Sequence, residues 1–195
     1  MTKAEIISLV KNTLMKVDEQ GRYREPLLER HIGIVYEQMF NELYAKDRKN
    51  IQKYAVVSGE GAISAGLITG HTLLKQPISL PRKGGGLFRV YSSGASAIDF
   101  VVTDLMGYEN MRMSRFDTVN LVGRRFCYLQ GGKLWGNTNI GSDSLVTHVI
   151  PQFTEFASTD EVLIPGGASE MLVDRVIDTI RHMPPSDLIN DNTIQ

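Results

Sequence analysis

Cys127 is the one cysteine in the chain, and as a nucleophile it would need a base beside it, for which His148 is the nearest histidine in the same glycine-rich region. No third group that would orient such a histidine stands out, and no cysteine-enzyme signature surrounds the thiol. Alternation along FCYLQ puts Cys127 on the same strand face as Leu129, which suits a small core residue. His31, His71, His148 and His182 are far apart and form no pair at metal-ligand spacing. Glu170, Asp174 and Asp178 share a helix flank at intervals of four, a spacing that can present carboxylates to a cation. Arg175 and Arg181 partly balance that flank, and no second helix carries a Glu-x-x-His motif, so a solvated face is expected. Asp99 and Asp104 bracket FVVT, where capping and surface roles suit them better than acid/base chemistry. No catalytic, cofactor-binding or metal-binding residue is expected.

Two glycine-rich stretches invite a nucleotide and fail on context. In PRKGGGLFRV the basic pair precedes the glycines and a strand follows, whereas a P-loop needs Gly-Lys-Ser/Thr opening a helix. SGEGAISAG has Gly59 and Gly61 but lacks the third glycine of a dinucleotide fingerprint. Turns and close backbone approach are the expected use of both stretches.

Composition narrows the partners. With 21 basic and 22 acidic residues the net charge is -1, which supplies no broad cationic surface for a phosphate backbone. A single cysteine excludes an internal disulfide framework and favours a reducing compartment. The opening MTKAEIISLVKNTLMK alternates apolar and charged residues, unlike a signal peptide, and no apolar run approaches the roughly 18 residues of a transmembrane helix. Folding in a cytoplasm, with no membrane partner, is the expectation.

The elements that would position these side chains suggest an α+β fold: a helical body, made of an N-terminal helix pair and a C-terminal helix, with a central, mainly antiparallel β region. TKAE is a capping box on Thr2 and Glu5, followed by an Ile6, Ile7, Val10, Leu14, Val17 stripe that leaves Lys3 and Lys11 off its centre. A second helix starts near Pro26, with Leu28, Ile32, Val35, Met39 and Leu43 on its apolar face. From Tyr54 to Ile150 strands are predicted at YAVV, ISL, GLFRVY, IDFVV, RRFCYL, KLWG and LVTHVI. TDLMGYENMRM reads as a short helix capped by Thr103. Val173, Val176, Ile177 and Ile180 mark the last helix, stopped by Pro184 and Pro185. These group as one domain over 1–183, with helices within 2–46, a β region over 54–150 and a helix over 168–183, followed by a polar arm over 184–195.

FCYLQGGKLWG is a hairpin if Gly131 and Gly132 form a two-residue turn, pairing Gln130 with Lys133, Leu129 with Leu134, Tyr128 with Trp135 and Cys127 with Gly136. One face then carries Cys127, Leu129 and Leu134, the other Phe126, Tyr128 and Trp135. Both want cover, and the second needs a helix of this chain or another subunit. Tyr128 and Trp135 are therefore interface candidates.

The order of capped helices, a glycine-rich β region reaching ISLPRKGGG, FVVTDLMGYENMRMSRF, the FCYLQGGKLW hairpin and IPGGASEMLVDRVIDTIRHMPPSDLINDN resembles ring or adaptor proteins of short-tailed bacteriophages, especially crAss-like phages of gut Bacteroides. It is similar in plan to head-to-tail adaptors of other podoviruses. The resemblance implies a non-enzymatic virion protein, present as a homo-oligomeric ring beneath the portal protein and beside other tail or ring proteins. DNA would pass through its channel without specific binding. The arm, with Leu188, Ile189, Asn190, Asp191 and Asn192, would touch a neighbour or the portal. SGEGAISAGLITGHTLLK matches nothing in that plan. A small enzyme using Cys127 or the acidic helix flank, and an adaptor of a non-viral complex, are the alternatives.

Overall fold

The computed structural model describes residues 1–17, 25–62, 68–94, 97–113, 125–137, 140, 143–167 and 169–182. The fold is α+β, and the chain packs as two compact units. One is helical, formed by residues up to Arg48 together with those from Gln152 on; the other is Lys49–Pro151, built on a sheet.

The helical unit contains α1 (Lys3–Val17), α2 (Glu25–Lys46) and α4 (Ser169–Arg181). The capping box forms as its spacing demands: the Thr2 amide donates to Glu5 Oε2 at 2.8 Å, and the Glu5 amide to Thr2 Oγ1 at 3.3 Å. The remaining free amides of the first turn find partners far along the chain. Lys3 N donates to the Asp160 carbonyl at 3.1 Å and Ala4 N to that of Ser158 at 3.0 Å. Ile6, Val10 and Leu14 are buried, as are Leu28, Ile32, Val35 and Met39 of α2 and Val173, Val176, Ile177 and Ile180 of α4, so the three apolar stripes are the unit's core. Tyr36 lies within it, its ring centroid 4.9 Å from Phe40, 6.0 Å from Phe153 and 6.3 Å from Phe156. Pro184, Pro185 and the arm over 184–195 lie outside the described residues.

Lys3 is not the bystander that its place beside the stripe suggests. Its side chain is buried, with Nζ on the carbonyls of Phe156 (2.8 Å) and Thr154 (3.2 Å) and paired with Glu29 of α2. A buried ammonium is tolerated only when paired and hydrogen-bonded in this way.

The second unit is a seven-stranded sheet among the described residues: β1 (Val56–Ala62), β2 (His71–Thr72), β3 (Leu87–Ser92), β4 (Asp99–Thr103), β5 (Phe126–Gln130), β6 (Lys133–Gly136) and β7 (Ser144–Val149). Their order is β1-β7-β3-β4-β5-β6-β2, and only β4 and β5 run parallel. A parallel pair needs a crossover, and α3 (Leu105–Met113) lies on it and packs against β5. The sheet curls around Ile68, Leu73, Leu87, Val90, Phe100, Cys127, Leu134, Ile140, Leu145 and Val149.

Two local expectations are corrected here. ISL is not a strand. Pro77 and Pro81 lack amide hydrogens and bracket it; Pro77 forms an isolated bridge with Pro151, Ile78 N donates to the Ile150 carbonyl, and the Ile78 carbonyl accepts from Gly86 N, both at 2.9 Å. The cap of α3 is Asp104 rather than Thr103: Asp104 Oδ1 accepts from the Gly107 amide at 2.5 Å, while Thr103 closes β4.

Candidate functional site

The GG hairpin has the register that its turn dictates. Gly131 and Gly132 take φ of 58° and 73°, as a two-residue turn between right-twisted strands requires. Cys127 pairs with Gly136, Tyr128 with Trp135, Leu129 with Leu134 and Gln130 with Lys133. The Cys127 face belongs to the core. On the opposite face, Tyr128 is covered by this chain's own α3, with the Tyr108 and Tyr128 rings 4.7 Å apart, so of the two candidates for cover the helix takes the position. Gly107 lets the first turn of α3 close on the end of β4: a Cβ there would lie 2.4 Å from Thr103 Oγ1. Trp135 is half-buried and stacks on the backbone at Gly70, where a Cβ would meet its Cζ2 at 3.1 Å.

The same corner leaves apolar side chains in water. Val101 is 46% exposed, Leu105 38% and Met106 75%, all within six residues at the junction of β4 and α3. Of the two hairpin candidates, Tyr128 is thus used internally, whereas Trp135 keeps some surface. Leu188, Ile189, Asn190, Asp191 and Asn192 lie outside the described residues.

Cys127 and His148 are not brought together. Cys127 shares the core with Leu145 and Val149 of β7, whereas His148 alternates with them and faces the other way, its ring 5.8 Å from Tyr91. Burial pushes the Cys127 thiol up to about 12, which removes the thiolate that nucleophilic attack requires. On the outer face beside His148, Arg89 holds Asp99 through two bonds, Nε to Oδ1 at 2.8 Å and Nη2 to Oδ2 at 2.7 Å. The hydrogen bond from Arg89, more than its charge, keeps the Asp99 carboxyl below its ordinary range. Asp104 is occupied in capping, so the two aspartates serve separate ends of β4.

Of the basic pair before the glycines, Arg82 bonds back to the turn, while Lys83 is exposed. Arg82 Nη1 donates to the carbonyls of Gly85 (3.2 Å) and Leu87 (3.0 Å), and its guanidinium lies 4.3 Å from the Phe88 ring centroid. These bonds hold the turn that Gly84 and Gly85 form at positive φ. Glu170, Asp174 and Asp178 are solvent-facing on α4, whose Arg175 pairs with Glu42 of α2 at 2.8 Å. Among the described residues no group of three or more His, Cys, Asp and Glu side chains is placed to hold a metal, and no helix is long and apolar enough to cross a membrane.

One polar cluster escaped the sequence reading. Between Gly59 and Gly61 the β1–β7 register shifts, and Glu60 is the additional residue of that bulge. Its side chain is wholly buried. Oε1 accepts from Thr147 Oγ1 of β7 at 2.8 Å, Oε2 from the Leu74 amide just beyond β2 at 2.7 Å, and His71 Nε2 stands 3.6 Å from Oε2. The only signal in the sequence is an acidic residue flanked by two glycines, which by itself describes a surface turn equally well.

No family model matches the chain, and no curated protein or solved structure does so either.

Proposed function

We propose that this chain is a non-enzymatic virion structural protein that assembles as a homo-oligomeric ring at the portal and tail junction of a short-tailed phage, part of the conduit for DNA. The reading rests on the order of elements that resembles such proteins. The observation that carries its assembly component is the exposed apolar corner Val101, Leu105 and Met106. Single exposed apolar residues are ordinary on a monomer, and these three, close together at one strand–helix junction, are the surface that this reading gives to a partner.

Electron microscopy and light scattering of the purified chain, with its portal partner added, test this reading. A closed ring, lost in a Val101→Glu, Met106→Glu double variant that keeps its melting temperature, is the expected result. A monomer at every concentration, alone and with portal, overturns it.

A further inference from the structure

The two edges of the sheet, β1 and β2, share no ladder in the strand order, yet both stand at one buried carboxylate. Glu60 projects from β1 and takes the Leu74 amide just past β2, while its second oxygen is held by Thr147 of β7. Elsewhere neighbouring strands are joined by backbone ladders, for instance six paired positions between β1 and β7. Among the described residues the seam between the edges has this side chain in place of a ladder. The strand beside it is short: among the described residues β2 has two positions, paired with Leu134 and Lys133 of β6. His71 Nε2 is buried there without a hydrogen-bond partner, 3.6 Å from Glu60 Oε2, a distance at which a protonated ring would form an ion pair across the seam.

We propose that this seam is a built-in point of opening, with Glu60 as its latch: the edge carrying β2 and Leu74 separates from β1 as a local event while β3, β4 and β7 stay paired. The chemistry favours reversible opening. A carboxylate freed from the seam regains water, which offsets much of the loss of its two bonds, whereas a broken ladder exposes several backbone groups at once. Thr147 is the positioning residue, since its hydroxyl turns one carboxylate oxygen toward β7 and leaves the other for Leu74.

Native-state hydrogen exchange on the full chain, read amide by amide, tests the latch. In the unaltered protein the Leu74 amide is expected to exchange through an opening with a smaller denaturant dependence than global unfolding, since Leu73 beside it leaves the core, while Val90 and Phe100 exchange only with global unfolding. Glu60→Ala is expected to accelerate Leu74 at least about tenfold more than Val90. In Glu60→Gln the amide oxygen can still accept from Leu74 and the Thr147 hydroxyl can reverse its role to accept from Nε2, so most protection should return. If Leu74 and Val90 exchange with the same denaturant dependence in the unaltered protein, the seam does not open by itself and the proposal falls, whether or not Glu60→Ala folds. Equal acceleration of Leu74 and Val90 in Glu60→Ala also overturns it.

Discussion

Tyr108 and Tyr128 meet ring to ring at 4.7 Å, and this contact fixes α3 over the outer face of β5. Tyr128 is nearly buried and Tyr108 half-buried, so truncating Tyr108 removes cover from both. Tyr108→Ala is expected to lower stability by about 2 kcal/mol in urea unfolding. A loss no larger than that of an exposed surface substitution would mean that α3 is held by something else.

Under the same helix, Thr103 Oγ1 is buried with no hydrogen-bond partner. Thr103→Val keeps the shape, suits a strand and removes the orphaned hydroxyl. Its expected effect is a gain of about 1 kcal/mol, read as a raised melting temperature. Gly107→Ala should do the opposite despite the better helix propensity of alanine, because its methyl would meet Thr103 Oγ1 at 2.4 Å and Asp104 Oδ1 at 2.7 Å. A net loss of about 1–2 kcal/mol is expected.

Lys3 ties the first turn of α1 to α2 and to the Thr154–Phe156 carbonyls. Lys3→Met retains the stem and removes the charge, leaving Glu29 and two carbonyls without their donor. About 3 kcal/mol should be lost in chemical denaturation, and a variant as stable as the parent would refute the role given to this ammonium.

The acid limb of stability has a defined sign at Asp99. Its carboxyl is held low in the folded protein by the Arg89 hydrogen bond, so the pair's contribution is present above the unfolded carboxylate value, about 3.9, and is lost as pH falls through the lower folded value. The parent and Asp99→Asn should therefore differ in melting temperature at pH 7, converge in acid, and differ less in high salt. A gap that persists unchanged at pH 2 would rule out this pairing as its source.

With its thiol pushed up to about 12, Cys127 should be nearly silent toward a disulfide reagent at pH 8 until denaturant is added. On the hairpin's other face, Trp135→Ala should reduce melting temperature and oligomer yield more than Cys127→Ser does, because it uncovers Gly70 and removes the half-exposed ring. Equal effects of the two would count against a special place for Trp135.

Features written in adjacent residues were legible. The Thr2–Glu5 box, the GG turn and the register it imposes, and the stripes of α1, α2 and α4 all depend on spacings of two to four residues, and they appear where those spacings put them. Pairing between distant segments was not. Nothing local in His71–Thr72 marks an edge strand, and nothing in SGEGA says that Glu60 turns inward, since its partners are 14 and 87 positions away. ISL shows the converse: its β-favouring composition was outweighed by the prolines around it. At the candidate interface, alternation gave the two faces of the hairpin but not the identity of the cover, which depends on α3 crossing back from β4.

The first turn of α1 is completed by carbonyls at Ser158 and Asp160, and the Lys3 side chain reaches Thr154, 151 positions away in sequence. The sheet unit, by contrast, is one uninterrupted stretch from Lys49 to Pro151. During synthesis α1 leaves the ribosome before the carbonyls that complete its first turn, and at about 5–20 residues per second it waits several seconds or more while the sheet is translated. α1 and α2 are thus made before the sheet, yet the first turn of α1 is finished only after it, when Ser158 and Asp160 have emerged.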